Sequence, residues 1–231
     1  MSNNYNDSAR AALQSYIDRI QNGEKLSPVI SQSNNKMRSI PSISTLPGCG
    51  HICGGTCPAV CVNTCQKDCY AKKLARIRPS VLNSYAKNTA ILLQDPESYW
   101  KAINDFVKTT RYFRYHVSGD IFGLPYFEHM VQTAVNNPHC EFLAFTKAYL
   151  TVNTWIAKNG PLPVNLHVLF SGWTGLKPNN PYNLPETNII EKNTIIPDNW
   201  KICGCNCTNC VCRGIGCWAA QSGDVIAFYK H

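Results

Sequence analysis

The amino-acid sequence predicts an α/β fold, a partial (β/α) barrel of the TIM type with cysteine-rich metal-binding loops. Strand-like runs alternate with helical segments of about ten to fifteen residues. Polar side chains follow these runs, and twelve of the thirteen cysteines fall into two tight blocks. The chain of 231 residues suffices for one well-packed domain. We expect a helix and connector over 1–38 and a single α/β metal-binding domain over 39–231, with a cysteine-rich segment at 200–217.

The first half of the chain is predicted to be mostly helical. Apolar residues recur at helical spacing, and the signal Asp95-Pro-Glu marks a helix start. Cysteines four residues apart would lie along one face of a helix, so a helix is also expected after Cys61. The predicted elements are a helix between Asp7 and Gly23, helices over 61–78, 81–93 and 95–108, and a strand over 40–46 that leads into the first cysteines.

The second half alternates between strands and helices, as expected for βαβ units that form a parallel sheet. The predicted strands cover 112–117, 141–145, 165–170 and 225–229, and the predicted helices cover 126–135 and 150–157. The stretch 173–200 is rich in proline and asparagine, which favours loop structure.

Polar side chains at the ends of three predicted strands outline a ligand site. They are His116, Ser118 and Asp120, then Thr146 and Lys147, then Ser171. Ligands bind at the carboxyl ends of strands in barrels and in open parallel sheets. We therefore predict catalytic roles for Asp120, Lys147 and His116, and cofactor-binding roles for Ser118 and Ser171. In the structural alternative, the aspartate bonds backbone amides of its turn and the lysine faces water.

The two cysteine blocks predict a metal centre. The predicted ligands are Cys49, Cys53, Cys57, Cys61, Cys65 and Cys69 (the first block), Cys203, Cys205, Cys207, Cys210, Cys212 and Cys217 (the second block), and His231. Thiolates are soft ligands that select iron–sulfur clusters, zinc or cuprous copper. The spacing mostly lacks the C-x2-C pairs of structural zinc sites, which favours about two or three 4Fe–4S clusters, with zinc as the alternative.

A disulfide scaffold is the rival interpretation of the cysteines. We see no export signal and therefore expect the reducing cytoplasm, where disulfides are rare, and the odd cysteine count also opposes full pairing. Cys140 stands apart from both blocks and is interpreted as a small buried apolar residue.

The chain is basic, with a formal net charge of +8. A run of cations follows the first block: Lys67, Lys72, Lys73, Arg76 and Arg78. Such a run can bind the phosphates of nucleic acid, balance the charge of thiolate-bound clusters, hold an anionic cofactor or form a solvated helix face. Lys72 is predicted to bind the cofactor. No stretch reaches the roughly 18 apolar residues that cross a bilayer, so no membrane partner is expected.

Four motifs occur in order along the chain. They are Cys65-Gln-Lys-Asp-Cys69-Tyr70-Ala-Lys72, Phe113-Arg-Tyr-His-Val-Ser-Gly-Asp120, Phe142-Leu-Ala-Phe-Thr-Lys147, and the late block that ends in Cys217-Trp218 before an apolar strand and a histidine. From about residue 45 to the end, the chain resembles the phage-associated family named after gene product 88. That family is distantly similar to radical S-adenosylmethionine (SAM) enzymes, whose cluster-binding cysteines follow the first strand of a partial (β/α) barrel.

The resemblance implies iron–sulfur clusters, SAM as a cofactor with Tyr70 among its contacts, and action in a phage-infected bacterial cell. Radical SAM enzymes typically present C-x3-C-x2-C and leave one iron open for SAM. Cys61, Cys65 and Cys69 of the first block are spaced C-x3-C-x3-C instead.

Two hypotheses of different classes remain open. In the first, the protein is a radical-SAM-like redox enzyme with one cluster in the first block and auxiliary clusters in the second. It would act on a small-molecule or nucleotide substrate and receive electrons from a reductant protein. In the alternative, the protein is a non-catalytic iron–sulfur or zinc module that engages nucleic acid through its basic run.

Overall fold

The structure is a computed structural model that describes residues 4–32, 37–204 and 206–230. The helices are α1 (Tyr5–Gln21), α2 (Gly50–Cys53), α3 (Tyr70–Ile77), α4 (Pro79–Gln94), α5 (Pro96–Val107), α6 (Leu124–Asn136), α7 (Tyr149–Asn159) and α8 (Cys207–Arg213), with 3-10 turns at Ala59–Cys61 and Gly216–Ala219. The strands are β1 (Ile30–Ser31), β2 (Ser42–Ile43), β3 (Tyr112–Tyr115), β4 (Glu141–Thr146), β5 (Leu166–Ser171), β6 (Glu186–Ile190), β7 (Trp200–Ile202) and β8 (Val225–Tyr229).

The strands form one sheet in the order β1-β2-β3-β4-β5-β6-β8-β7. β1 runs antiparallel to β2, and the other neighbouring pairs are parallel. Helices α6 and α7 cross between β3, β4 and β5, which confirms the predicted βαβ units. The α/β class is therefore confirmed, and the carboxyl ends of the parallel strands share one edge of the sheet.

Both faces of the central strands are buried. On one face, Phe142 lies in a large core with side chains of α5, α6 and α7. On the other face, Leu143, Leu169 and Ile226 pack against Trp218. Successive side chains of a strand point to opposite faces, so the adjacent Phe142 and Leu143 enter different cores. This explains the nearly continuous apolar runs that predicted these strands.

The N-terminal helix α1 packs on the long helix α4. Leu13 of α1 and Ala90 of α4 join Leu46 in a smaller core. Asn88 of α4 donates a hydrogen bond to the carbonyl of Ser44 at 2.8 Å. These contacts hold the end of β2, where the first block begins, against the helical layer.

The helix predicted from Cys61 is shorter in the structure, so this prediction was wrong in part. Cys61 closes a 3-10 turn, residues 62–68 form turns, and α3 begins only at Tyr70. The short polar side chains of this stretch compete with the backbone for hydrogen bonds, which disfavours a helix. Cys61, Cys65 and Cys69 therefore do not share one helical face.

The loop predicted over 173–200 contains the strand β6. This strand lies between β5 and β8 and pairs in parallel with both. The neighbouring strand β7, at the edge of the sheet, pairs with β8. These short strands are stabilised by pairing with strands that are distant along the chain, and local sequence patterns do not predict such pairing.

Candidate metal centre and adjoining cleft

A buried hydrogen-bond network joins the exits of β3 and β4. The carboxylate of Asp120 accepts hydrogen bonds from Thr146 Oγ1 at 2.5 Å and from the amide of Lys147 at 2.9 Å. The amide of Ile121 is a further donor, at 2.7 Å. Burial raises the pKa of Asp120, and these donors act in the opposite direction. The carboxylate of Asp120 therefore holds the backbone of Lys147 in place and so positions the Lys147 side chain.

Gly119 allows the exits of β2 and β3 to approach closely. Its φ is +83°, and a Cβ atom there would lie 1.9 Å from Thr45 Oγ1 and 2.6 Å from Thr56 Oγ1. These two hydroxyl oxygens are 2.7 Å apart, and the Thr56 hydroxyl also accepts the amide of Asp120 at 3.0 Å. Glycine is required here both for its backbone conformation and for its lack of a side chain.

The ammonium group of Lys147 lies beside the exit of β5. Lys147 Nζ donates to Ser171 Oγ at 2.8 Å and lies 5.6 Å from the centre of the Trp173 ring. The hydroxyl of Tyr149 donates to the carbonyl of Ser171 at 2.5 Å. The structure thus brings together three predicted site residues, Asp120, Lys147 and Ser171.

A cleft of about 600 Å³ opens at these strand exits. Its lining includes Thr56, Cys57, Val60, Phe122, Lys147 and Tyr149. The cleft therefore lies between the first block on one side and the start of α7 on the other.

In the first block, Cys57 and Cys49 accept hydrogen bonds from N–H donors, whereas the Cys53 thiol is itself a donor. The amide of Gly48 donates to Cys57 Sγ at 3.2 Å, and Gln66 Nε2 donates to Cys49 Sγ at 3.1 Å. The Cys53 thiol donates to the carbonyl of Pro47 at 3.4 Å. Such N–H···S bonds orient sulfur ligands and tune a bound metal.

Several thiols of this block are direct neighbours. Hydrogen bonds with the thiols of Cys57 and Cys65 raise the pKa of Cys61, and the bond from Cys61 lowers the pKa of Cys65. The Lys147 ammonium also lowers the pKa of Cys65. Burial raises the pKa of Cys69, and the charges of Cys57 and Cys65 add to this rise. The block is thus a cluster of interacting sulfur atoms next to the Lys147 charge.

Lys72 and Tyr70 flank the same loop. Lys72 Nζ donates to Gln66 Oε1 at 3.1 Å and lies 5.2 Å from the centre of the Tyr5 ring. Its charge favours the thiolate forms of Cys49 and Cys53, although burial dominates and raises both pKa values. The hydroxyl of Tyr70 donates to the carbonyl of Val117.

Cysteines of the second block gather on the sheet face opposite α5, α6 and α7. Cys203, Cys207, Cys210 and Cys217 pack in one core with Trp218. Burial raises the pKa of Cys217 to about 12, and the neighbouring sulfur atoms of Cys203, Cys207 and Cys210 contribute to the rise. Cys212 is exposed. Cys205 and His231 lie outside the described residues.

The spacing of the second block carries a signal that the sequence analysis missed. Cys203, Cys207 and Cys210 are spaced C-x3-C-x2-C and directly follow β7. This is the cysteine pattern of radical SAM enzymes, and it occurs in the second block and not in the first.

The described cysteines of the two blocks are not arranged as a site for one metal ion. In residues 4–32, 37–204 and 206–230, no three His, Cys, Asp or Glu side chains form a group that could hold an ion. A polynuclear cluster spreads its thiolates around an inorganic core and does not need them to converge on one point.

Comparison with known proteins gives one match. A family model described as Gene product 88 matches residues 17–202. The chain belongs to the gene product 88 family. No curated protein and no solved structure matches it. This member of the gene product 88 family has, in the part that the structure describes, no helix long and apolar enough to cross a membrane.

Two other predicted site residues of this gene product 88 protein lie away from the cleft. His116 is buried, and its Nε2 lies 2.8 Å from the hydroxyl of Tyr126. Ser118 Oγ donates to the carbonyl of Thr45 at 3.0 Å. Ser118 thus connects the ends of β2 and β3, and His116 faces the core under α6.

Proposed function

We propose that the protein is a radical-SAM-like iron–sulfur redox enzyme, with one 4Fe–4S cluster held by the first block and auxiliary clusters held by the second. One observation carries the proposal. Thiols of the first block adjoin a cleft at the strand exits: Cys57 lines the cleft with Lys147, and the Lys147 charge acts on the Cys65 thiol. A purely structural metal site would not require a ligand-sized cleft beside its sulfur atoms.

The first block would hold the cluster at which the substrate reacts. A cluster bound there supplies one-electron transfer. The amide of Gly48 and the side chain of Gln66 would stabilise the negative charge on Cys57 and Cys49. Lys72 would offset part of the charge of the thiolates.

The second block would hold auxiliary clusters. The spacing of Cys203, Cys207 and Cys210 suits cluster binding, but Cys217 could add a fourth thiolate. Four thiolates ligate all four irons of a cubane cluster and leave none open to SAM. We assign SAM to the first block because Cys57 of that block lines the cleft, and we assign electron relay to the second.

Residues at the strand exits would bind a small-molecule or nucleotide substrate. Lys147 would contact it, and Asp120 would act as a positioning residue through the amide of Lys147. A reductant protein would supply electrons. The proposal includes three further points. The sheet would curve into a partial barrel, and the family would be distantly related to radical SAM enzymes. The protein would act in the cytoplasm of an infected cell.

The test is anaerobic reconstitution followed by reduction with dithionite in the presence of SAM. We expect a brown protein that contains iron and inorganic sulfide and releases 5′-deoxyadenosine. Cys57→Ser should reduce this release strongly, whereas Cys140→Ala, which changes a buried cysteine outside both blocks, should retain it. Full iron loading without any 5′-deoxyadenosine would remove the SAM part, and a colourless protein without iron would remove the whole proposal.

A binding module for nucleic acid is the second candidate, and it too has a specific observation in its favour. Lys73, Arg76 and Arg78 are exposed at α3, and residues 69–94 contain no acidic residue. Within the described ranges these three cations form no ion pair. Metal, either zinc or an iron–sulfur cluster, would then serve to fold the cysteine-rich loops.

Titration with single- and double-stranded DNA and RNA at several salt concentrations tests this candidate. Each cation that contacts a phosphate should contribute about 0.7 to 0.9 to the slope of log affinity against log salt. Lys73→Gln and Arg76→Gln should each weaken binding and reduce that slope, and Lys158→Gln, an exposed change on α7, should not. Binding that does not depend on salt would contradict this candidate.

A further inference from the structure

We infer that the cleft at the strand exits binds a small molecule with one anionic group on an apolar or aromatic body, and that Lys147 binds the anionic group. This inference deepens the proposed function, because the ligand would be the substrate of that site. Binding can nevertheless be measured whether or not the cysteines hold a cluster.

The charge of the cleft selects an anion. Within the described part of the chain, Lys147 is the one charged residue among those that line it. Asp120 lies close by, but its carboxylate is buried and accepts hydrogen bonds from Thr146 and from backbone amides. The first turn of α7 also lines the cleft through Leu150 and Thr151, which adds the positive end of a helix dipole.

The contacts of the Lys147 ammonium group leave it able to bind a ligand. Its ammonium group donates one hydrogen bond to Ser171 Oγ and lies beside the Trp173 ring. Both partners are uncharged, so the positive charge is not neutralised by an ion pair in the described structure. An ammonium group has three donors, which leaves capacity for a carboxylate or phosphate oxygen.

The walls of the cleft select an apolar body. Phe122 and Leu150 expose 43% and 77% of their surface, although both are large apolar side chains. Pro58, Val60 and Ile121 continue the apolar lining. A volume of about 600 Å³ is that of a small-molecule site, and burial of these side chains by a ligand would add to its affinity. A bare inorganic anion would leave these walls exposed.

The probe is 8-anilinonaphthalene-1-sulfonate, a fluorescent anion on an aromatic body. Purified protein should bind one equivalent of it. Lys147→Gln should raise the dissociation constant by about tenfold or more, the effect of losing one charge-assisted hydrogen bond. Lys147→Arg should keep affinity within about threefold, since the charge remains. Lys158→Gln is the matched control, because it removes an exposed lysine of α7 outside the cleft.

Competition separates the sources of the anionic group. The competitors are 1-naphthoate, 1-naphthyl phosphate and the uncharged 1-naphthalenemethanol. Displacement by either anion at a concentration about tenfold below that of the alcohol supports the inference and identifies a carboxylate or a phosphate ligand. Equal displacement by the alcohol would overturn it, as would an unchanged dissociation constant in Lys147→Gln. If Lys147→Gln does not fold, the competition series with the unaltered protein decides alone.

The outcomes also distinguish this inference from the proposed function. Probe binding that depends on Lys147 in a protein that takes up no iron would retain the anion site and refute the iron–sulfur enzyme. Probe binding that is unchanged in Lys147→Gln, in a protein with full clusters, would refute the anion site and retain the iron–sulfur proposal.

Discussion

The two cysteine blocks share one ligand chemistry but have contrasting surroundings. The first block lies in the loop between β2 and α3, where Cys57 lines a cleft beside Lys147. In the second block, Cys217 is buried with Trp218 in the apolar core that includes Leu143. Cys57 of the first block adjoins space for a ligand, whereas Cys217 of the second block is packed against the sheet. The other described cysteines of the second block are half-buried or exposed.

Under the proposed function, a cluster near Cys57 would meet the substrate in the cleft, and a cluster near Cys217 would exchange electrons or stabilise the fold. Arg114 lies between the two regions: its Nη1 donates to Met37 Sδ at 3.3 Å, and its charge acts on both Tyr70 and Cys217. The charge of Arg114 therefore acts on groups in both cysteine-rich regions.

The largest expected effect contrasts one glycine from each region. Gly119→Ala should destabilise the fold by about 3 kcal/mol or more, because the new Cβ would overlap the Thr45 hydroxyl at a positive φ. Gly216→Ala should cost about 1 to 2 kcal/mol, because its φ is also positive but its new Cβ would lie no closer than 3.0 Å to Cys210. Urea denaturation measures both. Equal costs would contradict a rigid junction at the strand exits.

The next effect concerns the core behind the strand exits. Burial lowers the pKa of His116 to about 3 from 6.5, and Arg114 contributes. Between these values the unfolded imidazole binds a proton that the folded one does not, so stability is lost as pH falls from about 6.5 toward 3. The slope is at most about 1.4 kcal/mol per pH unit.

A pH series of urea denaturation tests this expectation. In His116→Gln, the loss of unfolding free energy on acidification should be smaller by roughly 2 to 3 kcal/mol over about two pH units. The exposed His139→Gln serves as the matched control. If His116→Gln loses as much unfolding free energy on acidification as the unaltered protein, His116 is not buried in its neutral form.

A smaller effect tests the role of Asp120. Asp120→Asn should cost about 2 kcal/mol, because one carboxylate oxygen becomes an NH2 group that faces the donors from Thr146 or Lys147. Asp105→Asn is the control: it weakens exposed ion pairs with Lys101 and Lys108 and should cost less than about 1 kcal/mol. Thermal unfolding compares the two. A cost for Asp120→Asn no greater than that of the control would show that the network does not stabilise the strand exits.

The smallest effect concerns the exposed cysteine of the second block. Cys212→Ser should leave iron content and stability within error of the unaltered protein, because Cys212 is exposed while Cys217 is buried. Iron analysis after anaerobic reconstitution measures this. A loss of iron as large as that in Cys207→Ser would make Cys212 a ligand, as its place in the block predicted.

The elements that were predicted correctly are those that local sequence patterns determine. Helices α4 and α5 lie close to the predicted bounds, because Pro79 and Asp95-Pro96 mark their starts. The strand β6 was missed because its stability comes from β5 and β8, which are distant along the chain. The proximity of Asp120, Lys147 and Ser171 followed from the sequence because parallel strands bring their ends together. The inward direction of His116 depends on how α6 packs over β3.

Iron and inorganic sulfide analysis of anaerobically reconstituted protein, with Mössbauer spectra, tests the central claim that each block holds at least one cluster of its own. The comparison uses the unaltered chain, a first-block variant with Cys57→Ser and Cys65→Ser, and a second-block variant with Cys207→Ser and Cys210→Ser. We predict that each variant loses part of the iron and sulfide and keeps the spectrum of the other cluster. Loss of all iron in both variants would indicate one shared site, and unaltered protein without sulfide would contradict the account.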